Sequence, residues 1–194
     1  MRNLSLAFIL FSVSLVQAQL PTHYSARIFK GKAVSGIDAT HSGQIRIPDG
    51  GGVVLFFTGT RCPYDDLYRK RLTQLQERYE GKVQFFFVNA MPDESEVEMR
   101  KQVNEWDSVI PYVIDSAQWM ARTLGVKKTT ETFLLRHRGP DFELYFRGPV
   151  DDNPQVETDT EHEYLDHAIA AMLAGKTSPG HFDRLPGCLV RMKN

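Results

Sequence analysis

Continuous hydrophobic runs alternate with amphipathic stretches through the middle of the chain. Residues 53–57 are β-branched or aromatic and lie between glycines, which predicts a strand buried on both faces. Apolar side chains then recur at near-helical spacing among charges, predicting a helix over residues 63–79. Residues 83–88 predict a second buried strand. A strand–helix–strand unit of this kind implies a right-handed crossover between parallel strands.

The pattern continues with shorter elements and ends in an irregular tail. A Gly-Pro turn between two apolar runs predicts a β-hairpin, and a final apolar stripe over residues 164–173 predicts a closing helix. The fold class is therefore α/β: a mixed central sheet covered by helices, with an N-terminal extension. The other predicted elements are a helix that ends near Trp106, a strand at 112–114, a helix at 117–124, hairpin strands at 132–135 and 142–146, and extended segments at 26–29 and 44–47.

The first eighteen residues have the pattern of a secretory signal peptide. Arg2 precedes 13 mostly apolar residues, and small residues, Val16 and Ala18, stand at the −3 and −1 positions of a cut after Ala18. The apolar run is shorter than the roughly 20 residues that span a bilayer, although a retained anchor is the alternative. We expect a signal peptide at 1–18 and one domain at 19–194, with its core at about 51–175 and a tail at 176–194. The mature protein is then periplasmic or secreted, without a membrane span.

Composition narrows the possible partners. The formal net charge is −1 and the hydrophobic content is 42%, which is ordinary for a globular domain and excludes long disorder. A near-neutral balance gives no basic footprint for nucleic acid, so no nucleic-acid partner is expected. The chain has two cysteines, Cys62 and Cys188, and an exported compartment would allow a disulfide between them.

Cys62 lies between a predicted buried strand and the first turn of a predicted helix. Unpaired N–H groups and the helix dipole there favour a thiolate, and Arg61 next to it adds positive charge. Pro63 suits the first helical position because its missing N–H costs nothing there. This arrangement indicates a nucleophilic cysteine, while the alternative is an inert structural one.

The turn containing Cys62 resembles the active-site turn of thioredoxin-like redoxins, within the segment Phe-Phe-Thr-Gly-Thr-Arg-Cys-Pro-Tyr at 56–64. The closer resemblance is to an exported subgroup with a Phe-Thr-Gly-Thr-x-Cys-Pro turn, a Tyr-Arg-Gly-x-x-Asp-Asp segment and a Gly-Cys pair near the C-terminus. Those two segments correspond here to residues 146–152 and to Gly187-Cys188. The resemblance implies a thioredoxin-like three-layer sandwich and thiol–disulfide chemistry. Cys62 and Cys188 are the implied catalytic pair, with Thr60, Arg61, Pro63 and Thr130 as supporting residues of the site.

The chain departs from the family pattern in two places. Asp65 stands where Cys-x-x-Cys proteins have their second cysteine, so Cys188 is the internal candidate for a resolving thiol. Thr130 takes the position that usually holds a cis-proline opposite the nucleophile, and its peptide bond is expected to be trans because cis bonds are almost confined to X-Pro.

Three functions remain open. The first is an exported thiol–disulfide oxidoreductase in which Cys62 attacks a partner disulfide and Cys188 resolves the mixed disulfide. The second is a non-catalytic binding or accessory module in which Cys62 and Cys188 form a structural bridge. The third is a thiol peroxidase, although the threonine expected three residues before the cysteine is replaced by Gly59. The expected partners are protein or small-molecule thiols and disulfides. The sequence indicates no cofactor or metal and leaves the oligomeric state open.

Overall fold

A computed structural model describes residues 23–25, 32–34, 50–182 and 185–193 of the 194-residue chain. The proposed signal peptide and the extended segments at 26–29 and 44–47 lie outside these residues. Among the described residues, no helix combines the length and the apolar character that a membrane span requires.

The sheet is mixed and has seven strands, ordered β1-β7-β6-β3-β4-β5-β2. Strands β3, β4 and β5 are parallel, while β6 is antiparallel to β3 and β7 is antiparallel to β6. The short strands β1 and β2 extend the two edges by antiparallel pairing. The strands are β1 (His23–Ser25), β2 (Lys32–Val34), β3 (Gly52–Thr58), β4 (Val83–Asn89), β5 (Tyr112–Ile114), β6 (Thr132–Arg138) and β7 (Asp141–Gly148).

The described residues form four α-helices beside the sheet, and the bounds of these helices agree closely with the sequence pattern. Helix α1 begins at Pro63 directly after the Cys62 cap, and α2 begins with a capping box between Ser95 and Glu98. Gly125, in the left-handed conformation, ends α3. The helices are α1 (Pro63–Arg78), α2 (Glu96–Trp106), α3 (Trp119–Leu124) and α4 (Tyr164–Leu173), and a short 3-10 helix spans Glu157–Asp159.

The two faces of the sheet carry separate hydrophobic cores, which makes the domain a three-layer sandwich. Side chains from α1, α2 and α4 pack on one face, with residues such as Leu72 and Ile169 fully buried. Helix α3 packs on the other face, and Val190 from the C-terminal tail joins that core. Strand β3 is buried along its whole length, as its uninterrupted hydrophobic run predicts. The predicted fold class is confirmed.

Candidate functional site

The two cysteines form a disulfide at the carboxyl end of β3. Cys62 caps α1 with an extended backbone, and Pro63 occupies the first helical turn. Its bridge to Cys188 joins Cα atoms 5.8 Å apart, inside the usual range for a disulfide, although the residues are 126 apart in sequence. Cys62 is 6% exposed, whereas Cys188 is partly exposed.

Two carboxylates hold the turn that leads into Cys62. The backbone N–H of Gly59 donates to Asp65 Oδ2 at 2.6 Å, and the N–H of Thr60 donates to Glu94 Oε2 at 2.7 Å. The N–H of Arg61 also donates to Glu94, at 3.3 Å. Three consecutive backbone groups are therefore fixed by side chains of α1 and of the segment before α2.

Asp65 is a buried carboxyl group close to the start of α1. It is fully shielded from solvent, and its Oδ1 has no hydrogen-bond partner. Burial raises the pKa of Asp65 well above its usual range, although hydrogen bonds from the Gly59 N–H and the Thr58 hydroxyl oppose the shift. The position at which Cys-x-x-Cys proteins have their second cysteine thus holds a carboxyl group in this protein.

A buried polar cluster supports Glu94 from behind the turn. The side-chain amide of Asn89 donates to Glu94 at 2.8 Å and to the Tyr112 hydroxyl at 2.8 Å. Tyr112 donates in turn to Gln102, whose amide donates to the carbonyl of Gly59 at 3.2 Å. Because these residues come from β4, β5 and α2, the turn is braced by three separate elements.

Thr129 is the residue that contacts the disulfide from the loop before β6. Its hydroxyl donates to Cys62 Sγ at 3.0 Å and accepts the backbone N–H of Cys188 at 3.0 Å. The sequence resemblance pointed to its neighbour Thr130 instead. The Thr130 peptide bond is trans, and its backbone is left-handed with φ 62°. The Thr130 hydroxyl donates to the carbonyl of Pro186 at 2.6 Å, so Thr130 holds the tail while Thr129 contacts the sulfur.

An ion pair fixes the loop that carries both threonines. Glu131 is completely buried and pairs with Arg147 at 2.5 Å. Its other carboxylate oxygen accepts the backbone N–H of Lys127 at 2.8 Å. Arg147 lies near the end of β7, in the segment 146–152 that resembles the exported redoxins. In this structure, Arg147 holds the loop that faces Cys62 through its ion pair with Glu131.

The C-terminal tail pairs with the same loop as an irregular strand. The N–H of Thr129 donates to the carbonyl of Cys188 at 2.8 Å, and the N–H of Val190 donates to the carbonyl of Lys127 at 2.9 Å. Gly187 is required at this crossing: its φ is +123°, and a Cβ atom would lie 2.1 Å from the Thr129 carbonyl oxygen. The Gly-Cys pair is thus explained by close backbone approach.

The three remaining residues proposed from the sequence are Thr60, Arg61 and Pro63, which flank Cys62 in the chain and differ in their contacts. The Arg61 guanidinium pairs with Glu98 at 2.7 Å and donates to the carbonyl of Asp93, so a carboxylate already compensates its charge. Pro63 is exposed at the start of α1. Thr60 is held through its backbone, and its buried hydroxyl has no hydrogen-bond partner.

One group of side chains in the described part of the chain has the spacing of metal ligands. Asp152, Glu161 and His162 bring their ligand atoms within 4.8 Å of one another, but all three are exposed and lie on the segment before α4. Exposed acidic groups of this kind are common on protein surfaces, and the group involves neither cysteine. It gives no reason to place a metal in the disulfide site.

Sequence reasoning missed three residues that contact or brace the site: Asp65 as a buried acid, Glu94 and Thr129. Asp65 could be read from its position three residues after Cys62, where a second cysteine is usual. The Thr-Thr pair at 129–130 marked the right loop, but the pattern cannot tell which hydroxyl points at the sulfur. Glu94 carried no signal, since it meets the turn only through tertiary packing.

The fold is that of thioredoxin-like proteins. An uncharacterized conserved protein from Geobacillus kaustophilus superimposes with a TM-score of 0.63 at 24% identity, over 76% of this chain and 80% of that one. A thioredoxin-like protein in the oxidized form gives 0.54 at 11% identity, over 69% and 87%. A candidate thiol:disulfide interchange protein DsbE from Chlorobium tepidum gives 0.52 at 19% identity, over 80% and 99%.

No family model and no curated protein matches this sequence. The structural likeness, at these identities, establishes the thioredoxin-like fold.

Proposed function

We propose that this protein is a thiol–disulfide oxidoreductase whose redox couple is Cys62 and Cys188. The observation that carries the proposal is the disulfide itself. One sulfur lies at the start of α1 and accepts a hydrogen bond from Thr129, and the other lies on a partly exposed tail. A helix start and a hydroxyl donor both stabilise a thiolate, which makes the reduced form easier to reach.

The proposed reaction balances over two exchanges. Two partner thiols lose their protons and two electrons and become a disulfide, while the bridge between Cys62 and Cys188 takes up those electrons and protons and becomes two thiols. The reverse reaction reduces a partner disulfide. The structural neighbours named as a thioredoxin-like protein and as a thiol:disulfide interchange protein support this reaction class.

We also propose that the protein acts outside the cytoplasm. The support is the Arg2 charge, the apolar run and the small residues before the cut after Ala18. An exported compartment allows the bridge to persist. N-terminal sequencing of exported material should begin near residue 19, and a start at Met1 would contradict this part of the proposal.

The competing function is a binding module in which the bridge is a permanent structural link. The tail hydrogen bonds to Lys127 and Thr129 favour it, because they give the bridge a stabilising role. In the chain-entropy model, closing a loop of 126 residues contributes on the order of 5 kcal/mol. A purely structural bridge should therefore resist mild reductant in the folded protein.

Redox equilibration separates the two functions. The folded protein is incubated in glutathione buffers of graded potential, alkylated, and analysed by mass, and both redox forms are then melted. We expect the reduction potential of the bridge to lie well above about −300 mV, the value below which structural disulfides fall. The fold should remain intact after reduction. The Cys62→Ser/Cys188→Ser variant is the control for the melt of the open form. A bridge that stays closed until the chain unfolds would reject the oxidoreductase and favour the binding module.

A further inference from the structure

We propose that the partner thiolate attacks Cys188 Sγ, so that the mixed disulfide forms on the tail and Cys62 leaves as the thiolate. The inference rests on the proposed function and concerns which of the two sulfurs meets the partner. It reverses the order expected from the sequence, where Cys62 forms the mixed disulfide and Cys188 resolves it.

The two cysteines differ in their exposure to solvent. Thiol–disulfide exchange requires the incoming sulfur to reach the attacked sulfur directly, so exposure decides which one reacts. Cys62 is 6% exposed, and the tail and the Thr129 side chain lie against it. Cys188 is partly exposed and is followed by Leu189, which is 69% exposed. A partner therefore meets the disulfide from the tail side.

The leaving group also favours attack at Cys188. Exchange is faster when the departing thiol has the lower pKa. Attack at Cys188 expels Cys62, whose sulfur lies at the start of α1 and accepts the Thr129 hydroxyl at 3.0 Å. Attack at Cys62 would expel Cys188, which lies in an irregular segment without a helix start. Access and thiolate stability thus point to the same sulfur.

The tail remains attached once the bridge opens, because many of its contacts do not involve sulfur. The Lys128 ammonium donates to the carbonyl of Leu185 at 2.9 Å, and the Gln118 amide donates to the carbonyl of Arg191 at 2.7 Å. The backbone pairing of Cys188 and Val190 with the loop adds two more hydrogen bonds. The mixed disulfide on Cys188 therefore stays within reach of the Cys62 thiolate.

The two directions of the reaction then follow. In the oxidising direction, a second partner thiolate attacks the partner's own sulfur in the mixed disulfide, forms the partner disulfide and releases the Cys188 thiolate. In the reducing direction, the Cys188 thiolate attacks a partner disulfide and expels one partner thiolate. The Cys62 thiolate next attacks Cys188 Sγ, which closes the bridge and expels the other. Every step exchanges one S–S bond for another.

Mapping the first adduct tests the order directly. The oxidised full chain is mixed with reduced glutathione, quenched with acid at short times, blocked with N-ethylmaleimide under mildly acidic conditions, and digested for mass mapping. We expect glutathione on Cys188 and maleimide on Cys62 in the singly opened form. Glutathione on Cys62 would overturn the proposal.

Single-cysteine variants provide the second measurement. Folded Cys62→Ser, with Cys188 free, should form a mixed disulfide with oxidised glutathione roughly tenfold or more faster than folded Cys188→Ser, compared at a pH where both thiols are ionised. Both variants should react at similar rates in urea, which shows that the fold causes the difference. Equal rates in the folded variants would overturn the order. A bridge that no thiol opens in the folded wild type would instead reject the proposed function.

Discussion

The two sulfurs of the disulfide are held by regions of contrasting construction. Cys62 lies on a turn whose backbone N–H groups donate to Asp65 and Glu94, and a cluster from β4, β5 and α2 braces that turn. Cys188 lies on a tail without regular secondary structure, attached to the loop 127–130 and to Gln118 before α3. The turn is braced by three elements of the fold, whereas the tail is held by backbone hydrogen bonds to the loop and by Val190, which packs in one of the two cores. A change in the tail can therefore alter the disulfide without disturbing the sheet.

The largest effect is expected where the two regions meet. Glu131→Gln leaves Arg147 as a buried charge without its partner and weakens the support for the Lys127 N–H. The free energy of unfolding should fall by about 3–5 kcal/mol in urea titrations of the oxidised protein. Arg100→Gln, which breaks an exposed pair with Glu96, is the control and should cost less than about 1 kcal/mol. Similar losses in both variants would show that the buried ion pair contributes no more to stability than the exposed one.

A change in the tail alone should have the next largest effect. In Gly187→Ala the new Cβ meets the Thr129 carbonyl oxygen, so the tail has to shift. Gly180→Ala is the matched control because Gly180 also has a positive φ, +107°, but open space around it. Urea unfolding should show that Gly187→Ala costs about 1–3 kcal/mol more than the control. An equal cost would mean that the close approach of the tail to Thr129 is not tight in solution.

Substitution of Asp65 in the turn should change how the free energy of unfolding depends on pH. Because the folded state raises the pKa of Asp65, it keeps a proton that the unfolded chain releases near pH 3.9. The contribution of Asp65 to wild-type stability should therefore be largest below that value and decline as pH rises to the folded pKa. Asp65→Asn mimics the neutral acid and should lack this decline, so its advantage should grow with pH by about 1.4 kcal/mol per unit of pKa shift.

The measurement is the free energy of unfolding of Asp65→Asn and wild type from pH 4 to 8. Asp66→Asn removes the same charge from an exposed position and serves as the control. A constant difference between Asp65→Asn and wild type across this range would show that Asp65 titrates normally in the folded protein.

The smallest effect is expected at Arg61, although the sequence pattern gave it a role in thiolate stability. Because the Arg61 guanidinium pairs with Glu98 in a solvent-exposed position, Arg61→Gln should leave the free energy of unfolding nearly unchanged. The pKa of Cys62, measured by alkylation in a Cys188→Ser background, should change less than in Thr129→Val. The reverse ranking would restore Arg61 as the main stabiliser of the thiolate.

The parts of the structure with strong local patterns were predictable from the sequence. The uninterrupted hydrophobic run of β3 and the amphipathic spacing of α1 predicted the two elements that place Cys62, and Pro63 marked the helix start. The structure confirms all three. These patterns also predicted a mixed sheet covered by helices, while the three-layer arrangement was implied by the resemblance to thioredoxin-like redoxins.

The contacts around the sulfur required tertiary information. Arg61 meets Glu98 across 37 positions, and Thr129 meets Cys62 across 67. Periodicity within one element cannot show which side chains of distant elements come together. The adjacent residues Thr129 and Thr130 illustrate the limit, since one contacts the sulfur and the other the tail.

The backbone pairing between the tail and the loop before β6 also has a consequence for association between molecules. The Thr129 N–H and the Lys127 carbonyl are satisfied by Cys188 and Val190. Without the tail, these groups would form an unpaired strand-like edge, and such edges readily pair with other chains. Cys188 and Val190 thus occupy hydrogen-bonding groups that a second molecule could otherwise use.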